Sequence, residues 1–172
     1  MARFTHPAIG DGTGISVLNP FYGSFYSTQT QVATTSNQVL NVTLNNTDLS
    51  NGVSMVDGYK ITMANAGIYN IMYSAQLHKN TGGGQDAAIN IWLKKNGTTA
   101  SENVPNSDSR FEVDNDFRYV VGTVNYFVQA NAGDFYVLAW SPSIVQGEIL
   151  YEAANATHPA IPSVILTVNQ VG

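Results

Sequence analysis

Gly67-Ile68-Tyr69-Asn70-Ile71-Met72-Tyr73-Ser74-Ala75-Gln76-Leu77 is the stretch that decides the fold. Tyr69, Ile71, Tyr73, Ala75 and Leu77 recur at every second position, with Asn70, Ser74, Gln76 and then His78 between them. A period of two is that of a half-buried β-strand, because successive side chains of an extended chain point to opposite faces. Ile68 and Met72 lie on the otherwise polar side, so apolar groups stand on both faces of this strand.

Runs of similar character cover residues 21–32, 38–44, 53–56, 59–63, 88–93, 117–128, 135–140, 148–151 and 164–168. Asp57-Gly58, Asn65-Ala66-Gly67, Asn96-Gly97 and Ala132-Gly133-Asp134 punctuate them with residues that tolerate positive φ. No window keeps apolar residues at i, i+3, i+4 and i+7, so helices are not expected. The pattern predicts an all-β chain, a jelly-roll β-sandwich of about ten strands. Two further strands repeat the two-sided character: Tyr136, Leu138 and Trp140 alternate with Phe135 and Val137, and Ile165 stands opposite Val164 and Leu166. A lone sandwich buries one face per sheet, so the second face calls for a covering loop, a second domain or another copy of the chain. With no chain left over for a second domain, another copy is the economical reading.

At 172 residues the chain fits one domain, read as an N-terminal arm over 1–20 and a jelly roll over 21–172. Extended, an arm of that length reaches roughly 60–70 Å, enough to cross onto a neighbour. Cysteine is absent, which excludes disulfides and thiolate chemistry. The formal charge is −5 and the seven Lys and Arg are scattered, so a nucleic-acid partner is not expected. No stretch reads as a signal peptide or nears the roughly 20 apolar residues of a membrane span. Charged residues make up only 11% of the chain, against roughly 25% in ordinary soluble domains. Interface cores are depleted in charge and enriched in aromatics, and nine Tyr, seven Phe and two Trp agree with such a loss of surface.

Residues able to carry chemistry are few. His6, His78 and His158 show no metal-ligand spacing, and two of them precede proline, so no metal or cofactor is expected. No nucleophile elbow with a flanking acid and base is present. Gly10-Asp11-Gly12-Thr13-Gly14 lacks the Lys-Ser/Thr that a phosphate loop requires. The acidic segment 107–116 does not have calcium-loop spacing and reads as a solvated connection. Sequons at Asn41, Asn45, Asn96 and Asn155 read as accidents of an Asn- and Thr-rich chain.

Three blocks, in order, carry a family resemblance. Gly58-Tyr59-Lys60-Ile61-Thr62-Met63-Ala64-Asn65-Ala66-Gly67-Ile68-Tyr69, then Ile91-Trp92-Leu93-Lys94-Lys95-Asn96-Gly97, then Ala132-Gly133-Asp134-Phe135-Tyr136-Val137 resemble blocks of the tumour-necrosis-factor and complement-globular-head jelly rolls. Tyr22-Gly23-Ser24-Phe25-Tyr26, Asn46-Thr47-Asp48-Leu49-Ser50-Asn51-Gly52-Val53 and the ending from His158-Pro159 to Val168 are similar to versions found in tailed-phage virion surface proteins. The resemblance implies a ten-stranded jelly roll assembled as a homotrimer. It places the N- and C-terminal strands side by side in an inner sheet facing the three-fold axis. It also implies a binding or structural module rather than an enzyme.

The function expected from this is a phage capsid decoration or cement protein on the virion surface, partnered with itself and with the major capsid or another virion protein. Tyr69, Tyr73, Tyr136, Leu138, Trp140, Ile165 and Val168 are the expected trimer contacts, and Arg3 and Phe4 the capsid-gripping residues of the arm. The alternative is a tail-fibre or receptor-binding tip whose loops 81–86 and 103–116 touch a host glycan.

Overall fold

The computed structural model describes residues 20–81, 84–116 and 118–172. All of the arm but Pro20, including Arg3, Phe4 and the stretch Gly10 to Gly14, therefore lies outside the described residues, as do Gly82, Gly83 and Phe117. Among the described residues the only helical element is a short 3-10 turn, Ala100–Glu102.

The strands, in chain order, are β1 (Tyr22–Ser27), β2 (Gln31–Val32), β3 (Leu40–Asn41), β4 (Asn46–Asn51), β5 (Val53–Val56), β6 (Lys60–Met63) and β7 (Gly67–Lys79). They continue as β8 (Ala87–Lys95), β9 (Ser109–Val113), β10 (Tyr119–Ala130), β11 (Phe135–Pro142), β12 (Gly147–Ile149) and β13 (Val164–Gln170). All pairing is antiparallel and forms two sheets.

In the larger sheet β10 follows one edge of β7 along its length, while β13 and then β12 occupy the other edge. β1 lies beside β13, β4 beside β1, and β2 beside β12. The first and last strands of the sandwich are thus neighbours, with Tyr22 opposite Asn169 and Ser27 opposite Val164. The smaller sheet runs β5-β6-β11-β8-β9, and β3 joins β11 beyond the end of β6. This is a jelly-roll sandwich with one core between its sheets.

Phe25, Tyr69, Tyr73, Leu166 and Val168 enter the core from the larger sheet, and Trp140, Leu138, Ile91 and Leu93 from the smaller. Each side chain of this size stabilises the fold by roughly 1.5–3 kcal/mol on leaving water. The turns follow their residues. Asp57 (φ 55°) and Gly58 (φ 75°) are the central pair between β5 and β6, a twist that suits hairpin strands. Asn96 (φ 57°) and Gly133 (φ 85°) take positive φ in the connections after β8 and between β10 and β11, whereas the turn before Gly67 needs no positive φ.

Several expected spans are corrected. The run 21–32 is two strands, because the Asn45 side chain takes the Thr28 N–H (2.9 Å) and the chain moves from β13 to β12 as partner. The run 38–44 keeps only Leu40–Asn41 as strand, although Val42 N–H still donates to the Leu138 carbonyl at 2.7 Å. β4 falls on a segment without alternation, and β9 falls inside the acidic segment expected to be a solvated loop. Backbone pairing to a central neighbour supplies what side-chain periodicity does not.

Candidate functional site: the outer face of the larger sheet

In a strand pair, residues directly opposite one another share a face, so the registers define the outer surface of the larger sheet. β7 contributes Ile68, Asn70, Met72, Ser74, Gln76 and His78. Opposite them on β10 stand Gln129, Phe127, Asn125, Thr123, Val121 and Tyr119. On the other side β13 adds Ile165, Thr167 and Asn169, and β1 adds Tyr26, Ser24 and Tyr22. Leu49 on β4 and Val32 on β2 extend the same face.

Most exposed large apolar side chains among the described residues gather here. Phe127 and Tyr119 are each 66% exposed and Val121 58%, with Leu49, Val32, Ile68, Met72 and Ile165 also open. Scattered apolar side chains are ordinary on a soluble surface, but a contiguous group on one sheet face marks an interaction surface. Charge is missing where solubility would ask for it. Along β1, β7, β10 and β13 this face carries no Asp, Glu, Lys or Arg. Its polar members are Asn, Gln, Ser, Thr and His, and the depletion of charge beside Tyr, Phe and Met is the mark of an interface core.

At the β12 end one carboxylate enters the face and is held by a partner. Glu148 pairs with His78, Oε1 to Nδ1 at 2.7 Å, under the Tyr119 ring, whose centroid lies 4.6 Å from that of the imidazole. Asn80 donates to the other carboxylate oxygen at 3.4 Å. His78 and Glu148 are 70 residues apart, and only the register of β7 with β12 joins them, so sequence spacing gave no sign of the pair. Beside Tyr119 a hollow of about 320 Å³ opens, lined by Gln76, Leu150, Glu152 and Ile161. No group of three or more metal-binding side chains occurs among the described residues. His158 sits in a loop, hydrogen-bonded to Asn155 at 2.7 Å.

The expected contact residues divide sharply. Tyr69, Tyr73, Tyr136, Leu138, Trp140 and Val168 are enclosed in the chain's own core, 0–3% exposed, and present nothing to another copy. Ile165 alone of that set lies on the open face. The reason is parity. A strand with apolar groups on both sides reveals two candidate faces, and which one meets the opposing sheet is fixed by packing. β11 is a further correction, since its second face is closed within the chain: Val137 and Ala139 are fully buried, with Lys94 and Trp92 as cross-strand neighbours. Met72, Phe127, Val121 and Tyr119, not among the expected contacts, occupy the open face, and the apolar Met72 on the polar side of its strand is the sequence signal for it.

The outer face of the smaller sheet differs in kind. Asn90 and Trp92 of β8, Arg110 and Glu112 of β9 and Ser141 of β11 give its open part a polar and charged surface, while Lys94, Val137 and Ala139 on the same side are buried. A hollow of about 350 Å³ opens there around Asn90, Trp92, Asp108 and Arg110.

No family model matches the chain, and no curated protein does. Solved structures do. A crystal structure of murine APRIL at pH 5.0 superposes with a TM-score of 0.55 at 12% identity, covering 88% of this chain and 99% of that one. A second, at pH 8.0, gives 0.54 at 13% identity over the same shares. At that identity the likeness shows the fold, a tumour-necrosis-factor-like jelly roll.

Proposed function

We propose that the chain is a non-enzymatic structural protein that assembles as a homotrimer through the outer face of its larger sheet and decorates a phage capsid. The supporting observation is the uncharged, apolar surface formed by β1, β7, β10 and β13. A second copy covers it economically, because a face shared by identical chains meets its like around a symmetry axis. Three copies are preferred because the fold is of the tumour-necrosis-factor type, whose resemblance implies a trimer about the inner sheet. The virion setting rests on the resemblance of the ordered sequence blocks to those of tailed-phage surface proteins. In this reading Arg3 and Phe4 of the arm contact the major capsid protein, and the polar outer sheets face solvent.

Cementing adds contact area across capsomer boundaries. The test is quantitative mass spectrometry of virions from the natural source, paired with heating of particles before and after the protein is stripped. Copies in the hundreds per particle, and loss of heat resistance on stripping, are expected. Absence from purified virions would overturn the assignment. A few copies per particle, located at the tail, would instead support the fibre-tip reading, which the hollow bordered by residues 103–110 favours.

A further inference from the structure

We infer that the outer face of the smaller sheet carries a binding groove for a neutral oligosaccharide, centred on Trp92. Two hollows meet there. The first, about 350 Å³, is walled by Asn90, Asp108, Arg110 and Ser141, and the second, about 250 Å³, by Lys94, Thr98 and Thr99. Val39, Trp92 and Asn103 border both, so the indole stands as a ridge between two subsites. Ligand-binding pockets run from roughly 300 to 1,000 Å³, which the adjoining pair reaches.

The side chains suit a sugar. A pyranose offers an apolar C–H face, which an aromatic ring can cover, and a rim of hydroxyls that both donate and accept. Amides and carboxylates match that rim because they present planar, paired polar atoms. Here the indole is fixed in orientation, its Nε1 donating to Asn103 Oδ1 at 2.8 Å, and the Asn90 amide donates to Asp108 Oδ2 at 2.8 Å. Side chains held in advance lose less freedom when a ligand arrives.

Charge selects among sugars. Arg110 is already engaged by Glu112 at 2.6 Å, and Lys94, buried among its neighbours, donates to the Thr98 carbonyl and faces Glu102. With Asp108 in the wall, the groove holds no surplus positive charge for a uronic or sialic acid. The groove lies on the sheet opposite the apolar face, so it stays open whether the chain is alone or assembled. The inference therefore does not depend on the virion assignment.

Calorimetric titration of the full chain tests it, with a neutral hexose oligosaccharide, an N-acetylhexosamine oligosaccharide and an oligouronate as probes. At least one neutral probe is expected to bind saturably and to alter tryptophan emission, a signal that reports Trp92 because Trp140, the second of the two tryptophans, is fully buried. Trp92→Ala and Asn90→Ala should each weaken binding by about tenfold or more, a loss of roughly 1.4 kcal/mol. Trp92→Phe, which keeps an aromatic face, should retain part of it, and this variant decides the matter if Trp92→Ala does not fold. Binding of neither neutral probe, tightest binding of the oligouronate, or unchanged affinity in Trp92→Phe and Asn90→Ala would overturn the inference. Sedimentation of the same samples reports assembly separately.

Discussion

Two tyrosines four residues apart on one strand show how much a single hydroxyl matters. Tyr69 and Tyr73 both lie in the core from β7, but only Tyr69 satisfies its hydroxyl, donating to the Asn65 carbonyl at 2.9 Å. Tyr73 Oη finds no hydrogen-bond partner among the described residues, and burial pushes its pKa far above the phenol range. Tyr126, stacked at 6.2 Å, donates its own hydroxyl to the Ser107 carbonyl. An unsatisfied buried polar group costs about 1–3 kcal/mol, whereas a made hydrogen bond contributes about 1 kcal/mol. Tyr73→Phe should therefore raise the urea midpoint and Tyr69→Phe lower it by about 1 kcal/mol equivalent, as equilibrium unfolding will show. Asp134 has the opposite circumstances. Lys95 Nζ at 2.8 Å, the Asn131 N–H at 2.8 Å and the Asn96 amide at 2.7 Å hold its carboxylate, whose pKa falls to about 2. A depressed carboxylate contributes stability that is present above its unfolded value near 3.8 and is lost as pH falls towards 2. Asp134→Asn should be less stable at pH 7 and should flatten the fall in unfolding midpoint between those two pH values.

At the scale of elements, what was legible in the sequence is what period two can express. β5, β6, β7, β11 and β13 stand close to where alternation placed them, since each has one face in the core. β4, with the sequence Asn-Thr-Asp-Leu-Ser-Asn, has no buried face and exists because β1 offers it a hydrogen-bonding edge. Periodicity is blind to such a strand. The same limit explains why alternation reveals a second apolar side on β7 without telling which side faces the opposing sheet. The exposed side now gives a clean test. Phe127 is 66% exposed, so Phe127→Asp leaves the core intact and places a carboxylate on the face proposed to join copies. Gel filtration of that variant should show monomer with unchanged far-UV circular dichroism, because an unpaired charge buried at an interface costs several kcal/mol. An unaltered assembly would place the contact surface elsewhere.

For the molecule as a whole, the two sheets divide the work. Their inner faces build one core, the outer face of the larger sheet along β1, β7, β10 and β13 is uncharged and rich in exposed apolar side chains, and the outer face of the smaller sheet is polar and grooved. A low share of charged residues, 11%, becomes intelligible once the face along β1, β7, β10 and β13 is covered by other copies. Stability of a protein assembled in this way is tied to its concentration, because association takes up the native state and draws the folding equilibrium towards it by mass action. The most direct measurement is sedimentation equilibrium of the purified chain at micromolar concentration. A mass of three times 18.5 kDa is expected. A single, well-behaved species of 18.5 kDa would show that the apolar face needs no partner, and the trimer would have to be abandoned.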